Sequence, residues 1–331
     1  MHIPVIDLAD ALTSGGKASP AVASQLRSAG MATGFFYIKN HGIPAALITQ
    51  QFQLTQQLMD LPLATRQALS VKHSKTMRGF EELGEQRLDA AARPDLKESF
   101  YCGLAYPPDH PYVLAGYQTY GGNQWPEELP RAAEQCEVYS QALLSLCNRL
   151  MQLLALSLVL PETYFDASNQ NPMVTLRMVR YPAHPLDADE RTFGAGAHTD
   201  WGAFTLLAQD DHGGLEVALP DGSWLSAPPI PGTFIVNLGD MVPRWTNNHY
   251  RSSLHRVRNL YSKGAVRYSI PFFYEPDYLA PIEMVPSPLT AGETPLYPPC
   301  TIGEHLKEMY RRSYTFALET NEAEVGSKEN A

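Results

Sequence analysis

The tripeptide His198-Thr199-Asp200 places an imidazole and a carboxylate two residues apart. In an extended strand, residues i and i+2 point to the same side, so the two groups aim at one point. Two such ligands hold a metal poorly. A third is offered by His255, inside the separate β-like stretch Leu254-His255-Arg256-Val257. His198, Asp200 and His255 together have the composition of a 2-His-1-carboxylate facial triad. Such a triad binds one face of an octahedral Fe(II) and leaves three positions open, as a reaction of O2 with an organic co-substrate requires. The same three ligand types could serve zinc in a hydrolase. H-x-D alone is a weak signal in a chain with ten histidines, and His255 alone is equally a hydrogen-bonded core histidine.

A second i, i+2 pair, Arg267-Tyr268-Ser269, follows twelve residues after His255. A guanidinium and a hydroxyl aimed into a barrel are costly without a partner. A dicarboxylate would supply one, because Arg grips carboxylate with two parallel hydrogen bonds and Ser adds a directed one. An internal salt bridge is the alternative for Arg267. A zinc hydrolase would not explain this pair. Tyr181 could add a phenol from the strand before the metal segment, or simply pack in the core with its hydroxyl in water.

These groups need a β scaffold. From about 173 to 276 the chain has the period of strands: Met173–Tyr181 broadly alternates, and further stretches lie at 203–208, 214–218, 232–238 and 266–274. They are short and punctuated by Gly, Pro, Asp and Asn, which suggests a sandwich, barrel or jelly roll. Before them, residues 3–110 read as helical with a few short strands, among them 34–38, a run rich in aromatic and β-branched residues. Helices are expected from about 21 to 29, from 44 to about 59, and over 131–160, where Leu143, Leu146, Leu150, Leu153 and Leu154 recur at helical spacing. A last helix covers 302–318, and the polar tail from Glu319 is expected to fray. The expected fold is α+β with a mainly β core, a double-stranded β-helix flanked by N-terminal and C-terminal helices. It is read as one integrated unit over 1–331: a mainly helical region 1–160, a jelly-roll core 173–276, and a C-terminal helix and tail 277–331.

Composition excludes other classes. Of 331 residues, 44% are hydrophobic and only 18% charged, which rules out wholesale disorder. The formal charge of −10 repels phosphate backbones, so neither nucleic acid nor an anionic membrane is an expected partner. Cys102, Cys136, Cys147 and Cys300 show no C-x-x-C spacing and read as reduced thiols. No apolar run reaches the ~20 residues of a membrane span, and Met1-His2-Ile3-Pro4 has no signal-like flank. The expected location is cytoplasmic.

The chain resembles the non-haem Fe(II)/2-oxoglutarate-dependent oxygenases of the isopenicillin N synthase-like group. The resemblance is carried by Ile3-Pro4-Val5-Ile6-Asp7-Leu8, by Gly34 to Ile43, by Arg78-Gly79-Phe80 and by Asp95-Leu96-Lys97-Glu98-Ser99-Phe100. In the second half it is carried by Ala197 to Leu207, Gly213 to Val217, Val236-Asn237-Leu238-Gly239-Asp240 and Arg267 to Phe273. It implies Fe(II) on His198, Asp200 and His255, with the distal carboxylate of 2-oxoglutarate on Arg267, Ser269 and Tyr181. The family's N-x-Y-P pattern has Val179 in place of its asparagine here, so no contact of that side chain carries over. Trp201, after the metal aspartate, could shield the site or pack on a substrate, and shielding is the favoured expectation.

The implied reaction uses O2 and 2-oxoglutarate to hydroxylate or otherwise oxidise a C–H bond of a small molecule, with release of succinate and CO2. The protein's part is orientation and the exclusion of water. The expected pocket is dry and lined from the barrel mouth and the N-terminal helical zone. Family position points to Arg78, Phe80, Phe100, Phe204, Arg244, Trp245 and Phe273 as candidate substrate contacts. Two alternatives remain within the resemblance: an iron oxidase that does not use 2-oxoglutarate, and an enzyme that forms ethylene from it. A non-catalytic binding protein is disfavoured by the complete triad and anchor pair. Substrate identity and oligomeric state are not readable.

Overall fold

The computed structural model describes residues 2–13, 17–184, 191–259 and 264–313. The strands of its two main sheets are, in chain order, β1 (Val5–Asp7), β2 (Phe35–Lys39), β3 (Gly79–Glu81), β4 (Glu98–Cys102), β5 (Pro172–Tyr181) and β6 (Ala195–His198). They continue as β7 (Phe204–Gln209), β8 (Leu215–Ala218), β9 (Trp224–Ser226), β10 (Phe234–Leu238), β11 (His255–Val257) and β12 (Arg267–Asp277). Eight of them form one sheet in the order β1-β2-β10-β7-β12-β5-β4-β3, and four form a second in the order β6-β11-β8-β9. The expected jelly roll is therefore present. The first hundred residues do more than flank it: β1 and β2 extend the large sheet beyond β10, while β3 and β4 extend it beyond β5.

The period-2 pattern decides what each strand residue faces. On one face of the large sheet Phe36, Ile38, Leu176, Met178, Leu206, Val236, Ile270 and Phe272 join the larger apolar core. The helices Pro20–Ala32, Ala45–Asp60 and Ala132–Ser157 cover that face. The last of these buries Leu143, Leu146, Leu150, Leu153 and Leu154 and leaves Asn148 exposed, as its 3.6-residue period requires. On the other face Phe35, Tyr37, Val179, Tyr181 and Ile235 meet Leu215, Val217 and Val257 of the small sheet in a second, smaller core. The smaller core, between the two sheets, is where the polar groups converge.

The C-terminal helix is described over Ile302–Ser313. The rest of its expected span, and the tail expected to fray, lie outside the described residues. No helix among the described residues is long and apolar enough to cross a membrane.

Candidate active site

The three proposed iron ligands come together by strand pairing. His255 on β11 sits directly opposite His198 on β6, and the ring centroids are 4.3 Å apart. Asp200 differs from expectation in one respect. Strand β6 ends at His198, so Asp200 reaches the site from the turn that follows rather than along a strand. Its Oδ1 lies 3.8 Å from His198 Nε2 and 3.7 Å from His255 Nε2. One ligand atom from each residue falls within 4.8 Å of the others.

The surroundings aim those atoms. His198 Nδ1 is 2.7 Å from Gly196 O and His255 Nδ1 is 3.3 Å from Ser253 O. A donating Nδ1–H at each carbonyl leaves each Nε2 lone pair free to bind a metal. Asp200 Oδ2 accepts from Thr205 Oγ1 at 2.5 Å and from Asn237 Nδ2 at 2.8 Å, leaving Oδ1 for the ion. Burial would raise the Asp200 carboxyl. The facing His255 and His198, with those two hydrogen bonds, outweigh burial and hold it below its ordinary value. Burial, and then the facing His255, hold His198 below the usual imidazole range despite Asp200. Both shifts favour the metal-binding forms, anionic carboxylate and neutral imidazole.

The second polar pair lies in the same cavity, about 60 Å³ in volume and lined by His198, Asp200, His255, Tyr181, Arg267 and Ser269. On β12 Arg267 pairs with Tyr181 and Ser269 with Val179, so both side chains enter between the sheets. The Arg267 guanidinium lies 4.6 Å from the centre of the Tyr181 ring, and Ser269 Oγ donates to Tyr181 Oη at 3.4 Å. Arg267 is 1% exposed. Its Nε donates to His212 O at 3.3 Å and its Nη2 to Gln209 Oε1 at 3.2 Å, while Nη1 is buried with no partner among the described residues. No carboxylate among the described residues pairs with this guanidinium, so the internal salt bridge is not formed. An orphaned, buried guanidinium N–H beside a hydroxyl fits a ligand carboxylate.

Lys97 also lines this cavity, tied to buried Asp95, whose Oδ1 accepts from Gly196 N at 3.0 Å. That bond fixes the segment before β4 against the metal strand. The contact is close: a Cβ on Gly196 would lie 2.8 Å from Asp89 N. Asp95 and Lys97 stood within a motif recognised in the sequence, but nothing local assigned them a place. Burial lowers the Lys97 ammonium to about 8, against the opposing pull of Asp95.

A second cavity of about 110 Å³ shares His198, Asp200, Arg177 and Phe273 with the first. Its remaining lining includes Gln86, Tyr101, Thr175, Trp201, Glu275 and Tyr310. Trp201 meets Tyr310 edge-on at 5.0 Å, and His305 Nε2 is 3.0 Å from Trp201 O. Gln86 and Tyr101 supply the expected N-terminal part of the lining, and the C-terminal helix adds a further wall through Tyr310.

Of the seven candidate substrate contacts, only Phe273 lines these cavities. Phe80, Phe100 and Phe204 are corrected by parity. Each lies on the helix-facing side of the large sheet, in the larger core, and its neighbour Glu81, Tyr101 or Thr205 takes the inward position. Phe80 lies under Arg66 at 4.7 Å, and Phe100 stacks on Trp125 at 5.9 Å. Arg78 is buried among carbonyls, with Nη1 donating to Leu104 O and Gly121 O and Nη2 to Thr119 O. Arg244 Nη2 donates to Pro298 O at 2.9 Å, and its guanidinium lies 5.1 Å from the Tyr297 ring centre. Trp245 is buried against Phe165 at the edge of a separate groove of about 700 Å³. Thr205, Asn237, Arg177, Glu275 and Tyr310 were not singled out as site residues from sequence. Inward parity on β5, β7, β10 and β12 was the available signal for the first four.

Comparison with known proteins agrees with this geometry. Residues 3–128 match the model of the non-haem dioxygenase N-terminal region, described from morphine synthesis, and residues 171–276 match the 2OG-Fe(II) oxygenase superfamily. The chain is 37% identical over 335 residues to the 2-oxoglutarate-Fe(II) type oxidoreductase hxnY of Emericella nidulans, covering 99% of this chain and 95% of that one. It is 32% identical to a homoarginine-6-hydroxylase of Glycine max, covering 92% and 95%. Among solved structures, it is similar to a full-length Neurospora crassa protein in complex with alpha-KG and thymine. The TM-score there is 0.82 at 28% identity, over 94% of this chain and 97% of that one.

Proposed function

This chain belongs to the 2OG-Fe(II) oxygenase superfamily, and from that premise we propose which of its residues perform the reaction. The protein is an Fe(II)- and 2-oxoglutarate-dependent oxygenase that oxidises a small molecule. Fe(II) is held by His198 Nε2, Asp200 Oδ1 and His255 Nε2. The distal carboxylate of 2-oxoglutarate is held by Arg267 Nη1 and Ser269 Oγ, with Tyr181 beside them. The bound metal and co-substrate supply the oxidising chemistry with O2, ending in succinate, CO2 and an oxidised C–H bond.

The chain's own residues do the rest. Thr205 and Asn237 restrict Asp200 to one free oxygen. Gly196 O and Ser253 O fix the two imidazole orientations. Trp201, Phe273 and Tyr310 border the side on which substrate sits and keep water from it. The observation that carries the assignment is the partnerless Nη1 of Arg267 in the cavity of the triad. Fe(II) and 2-oxoglutarate added anaerobically to metal-free protein should give a visible charge-transfer band. The Asp200→Ala variant should give none. A band of unchanged intensity in that variant would remove Asp200 from the ligand set.

A further inference from the structure

Strand β12 sends every second side chain between the sheets: Arg267, Ser269, Pro271, Phe273 and then Glu275. The first two face the co-substrate end. Glu275 faces the second cavity and is 9% exposed. Its carboxyl has no hydrogen bond and no ion pair with any described residue. The cation that shares the cavity, Arg177, is already engaged: Nη2 donates to Glu81 Oε2 and Gln86 Oε1, each at 2.9 Å, and Nε donates to Ser99 Oγ at 2.9 Å. The charged group felt by Glu275 is the like-charged Asp200. Gly202 packs directly beneath, where a Cβ would come within 2.8 Å of Glu275 Oε1.

A buried carboxyl whose neighbouring cation is committed elsewhere keeps its proton, because a bare buried charge is costly. Burial here lifts Glu275 to about 8. A neutral carboxyl presents an O–H donor and a C=O acceptor on one edge. The group that answers both at once is a cis amide, N–H beside C=O, as in a lactam. The walls around it are flat and aromatic: Trp201, Phe273, Tyr101 and Tyr310. The cavity, about 110 Å³, compares with the roughly 150 Å³ that accommodates benzene. It suits one ring.

We propose that Glu275 is the substrate-reading residue, and that the substrate is a small planar heterocycle whose cyclic-amide edge pairs with the Glu275 carboxyl while its face stacks on Trp201 and Phe273. This rests on the reading above that the second cavity adjoins the iron. An aliphatic amine or an aromatic carboxylate would fit less well. The amine would need Glu275 ionised, and the carboxylate, an acceptor only, would answer the O–H of Glu275 but not its C=O, with no uncommitted cation assigned to it.

The test uses full-length protein with Fe(II) and 2-oxoglutarate under anaerobic conditions, titrated calorimetrically with four probes. 2-Pyridone is expected to bind at least tenfold more tightly than N-methyl-2-pyridone, which lacks the N–H, and more tightly than benzoate or benzylamine. Glu275→Gln keeps an amide edge and should hold 2-pyridone within about threefold; Glu275→Leu should weaken it at least tenfold. Equal affinity for the two pyridones, benzylamine as the preferred probe, or an unaffected Glu275→Leu variant would each overturn the proposal. The charge-transfer band separates the two levels of argument. If it forms in the wild type while pyridone discrimination there is absent, the substrate class is wrong and the co-substrate assignment stands. If it is absent in the wild type, the co-substrate assignment itself fails.

Discussion

Arg78 and Arg267 are both buried arginines, 5% and 1% exposed, in motifs of equal prominence in the sequence. Their surroundings differ in kind. Arg78 donates to the carbonyls of Leu104, Gly121 and Thr119 and to Asn123 Oδ1, at 2.8–3.1 Å, and so pins the segment 103–123 beside β3. Gly103 is required there, since a Cβ would collide with Val174 O, with Arg78 Nη2 at 2.8 Å. Arg267 has two long contacts and a buried N–H with none. Burial of a charged side chain therefore does not mark a site. An unfilled hydrogen-bonding capacity inside the cavity of the triad does, because folding has left a cost there that a ligand can relieve.

The comparison breaks most sharply by truncating each arginine. Arg267→Ala should raise the KM for 2-oxoglutarate by about 10²–10³-fold, the usual cost of removing one partner of a buried charge pair, with the melting temperature unchanged or higher. Arg78→Met should do the reverse. It strips partners from three backbone carbonyls and should lower the melting temperature by about 5–10 °C, with the KM for 2-oxoglutarate unchanged in protein that remains folded. Steady-state succinate release and thermal melts on both variants decide it. Equal stability losses in the two would make Arg267 another structural arginine.

Asn237 sharpens the same contrast on a smaller scale. It donates to the non-ligating oxygen of Asp200, so it orients a metal ligand without touching the metal. Asn237→Ala should weaken Fe(II) binding by about 10–100-fold and leave 2-oxoglutarate binding to the metal-loaded protein unaltered. Competition against a chelator measures the first, and titration of the charge-transfer band at saturating Fe(II) the second. Loss of both together would mean that Asn237 supports the whole cavity and not one carboxylate.

The difference between Arg78 and Arg267 also shows where sequence reasoning stopped. His198, Asp200, His255, Arg267 and Ser269 were legible because their residue types and two-residue spacings carry chemistry by themselves. Phe80, Phe100 and Phe204 were misplaced because a shift of one residue along a strand reverses the face. The frame is set only by the pairings of β3 with β4, β4 with β5 and β7 with β12. Arg244 and Trp245 stand before the third iron ligand in sequence. The partners of Arg244 at Pro298 and Cys300 come from the C-terminal segment, which no local pattern connects to the short helix Met241–Trp245. Tyr310 reads as an apolar helix residue until the helix docks beside Trp201. The jelly roll itself was legible from strand period and turn residues. The contribution of β1 to β4 to its main sheet was not, since that depends on contacts distant in sequence.

Glu275 gives the smallest test, and its sign is determined. Its carboxyl rises from an ordinary value of 4.5 to about 8 on folding. Below pH 4.5 the folded and unfolded forms are both protonated, and the group contributes no pH-dependent loss. Between pH 4.5 and 8 the folded protein holds a proton that the unfolded chain has released. Stability then falls as pH rises, and above 8 the full cost of a buried carboxylate is present. Glu275→Gln never ionises. Metal-free variant and wild type should therefore melt together near pH 4.5, and the variant should melt higher by on the order of 5 °C at pH 9. A difference that stays constant across that range would mean that Glu275 ionises freely in the fold. The second cavity would then hold a fixed negative charge, and the cation-binding alternative would replace the neutral amide edge.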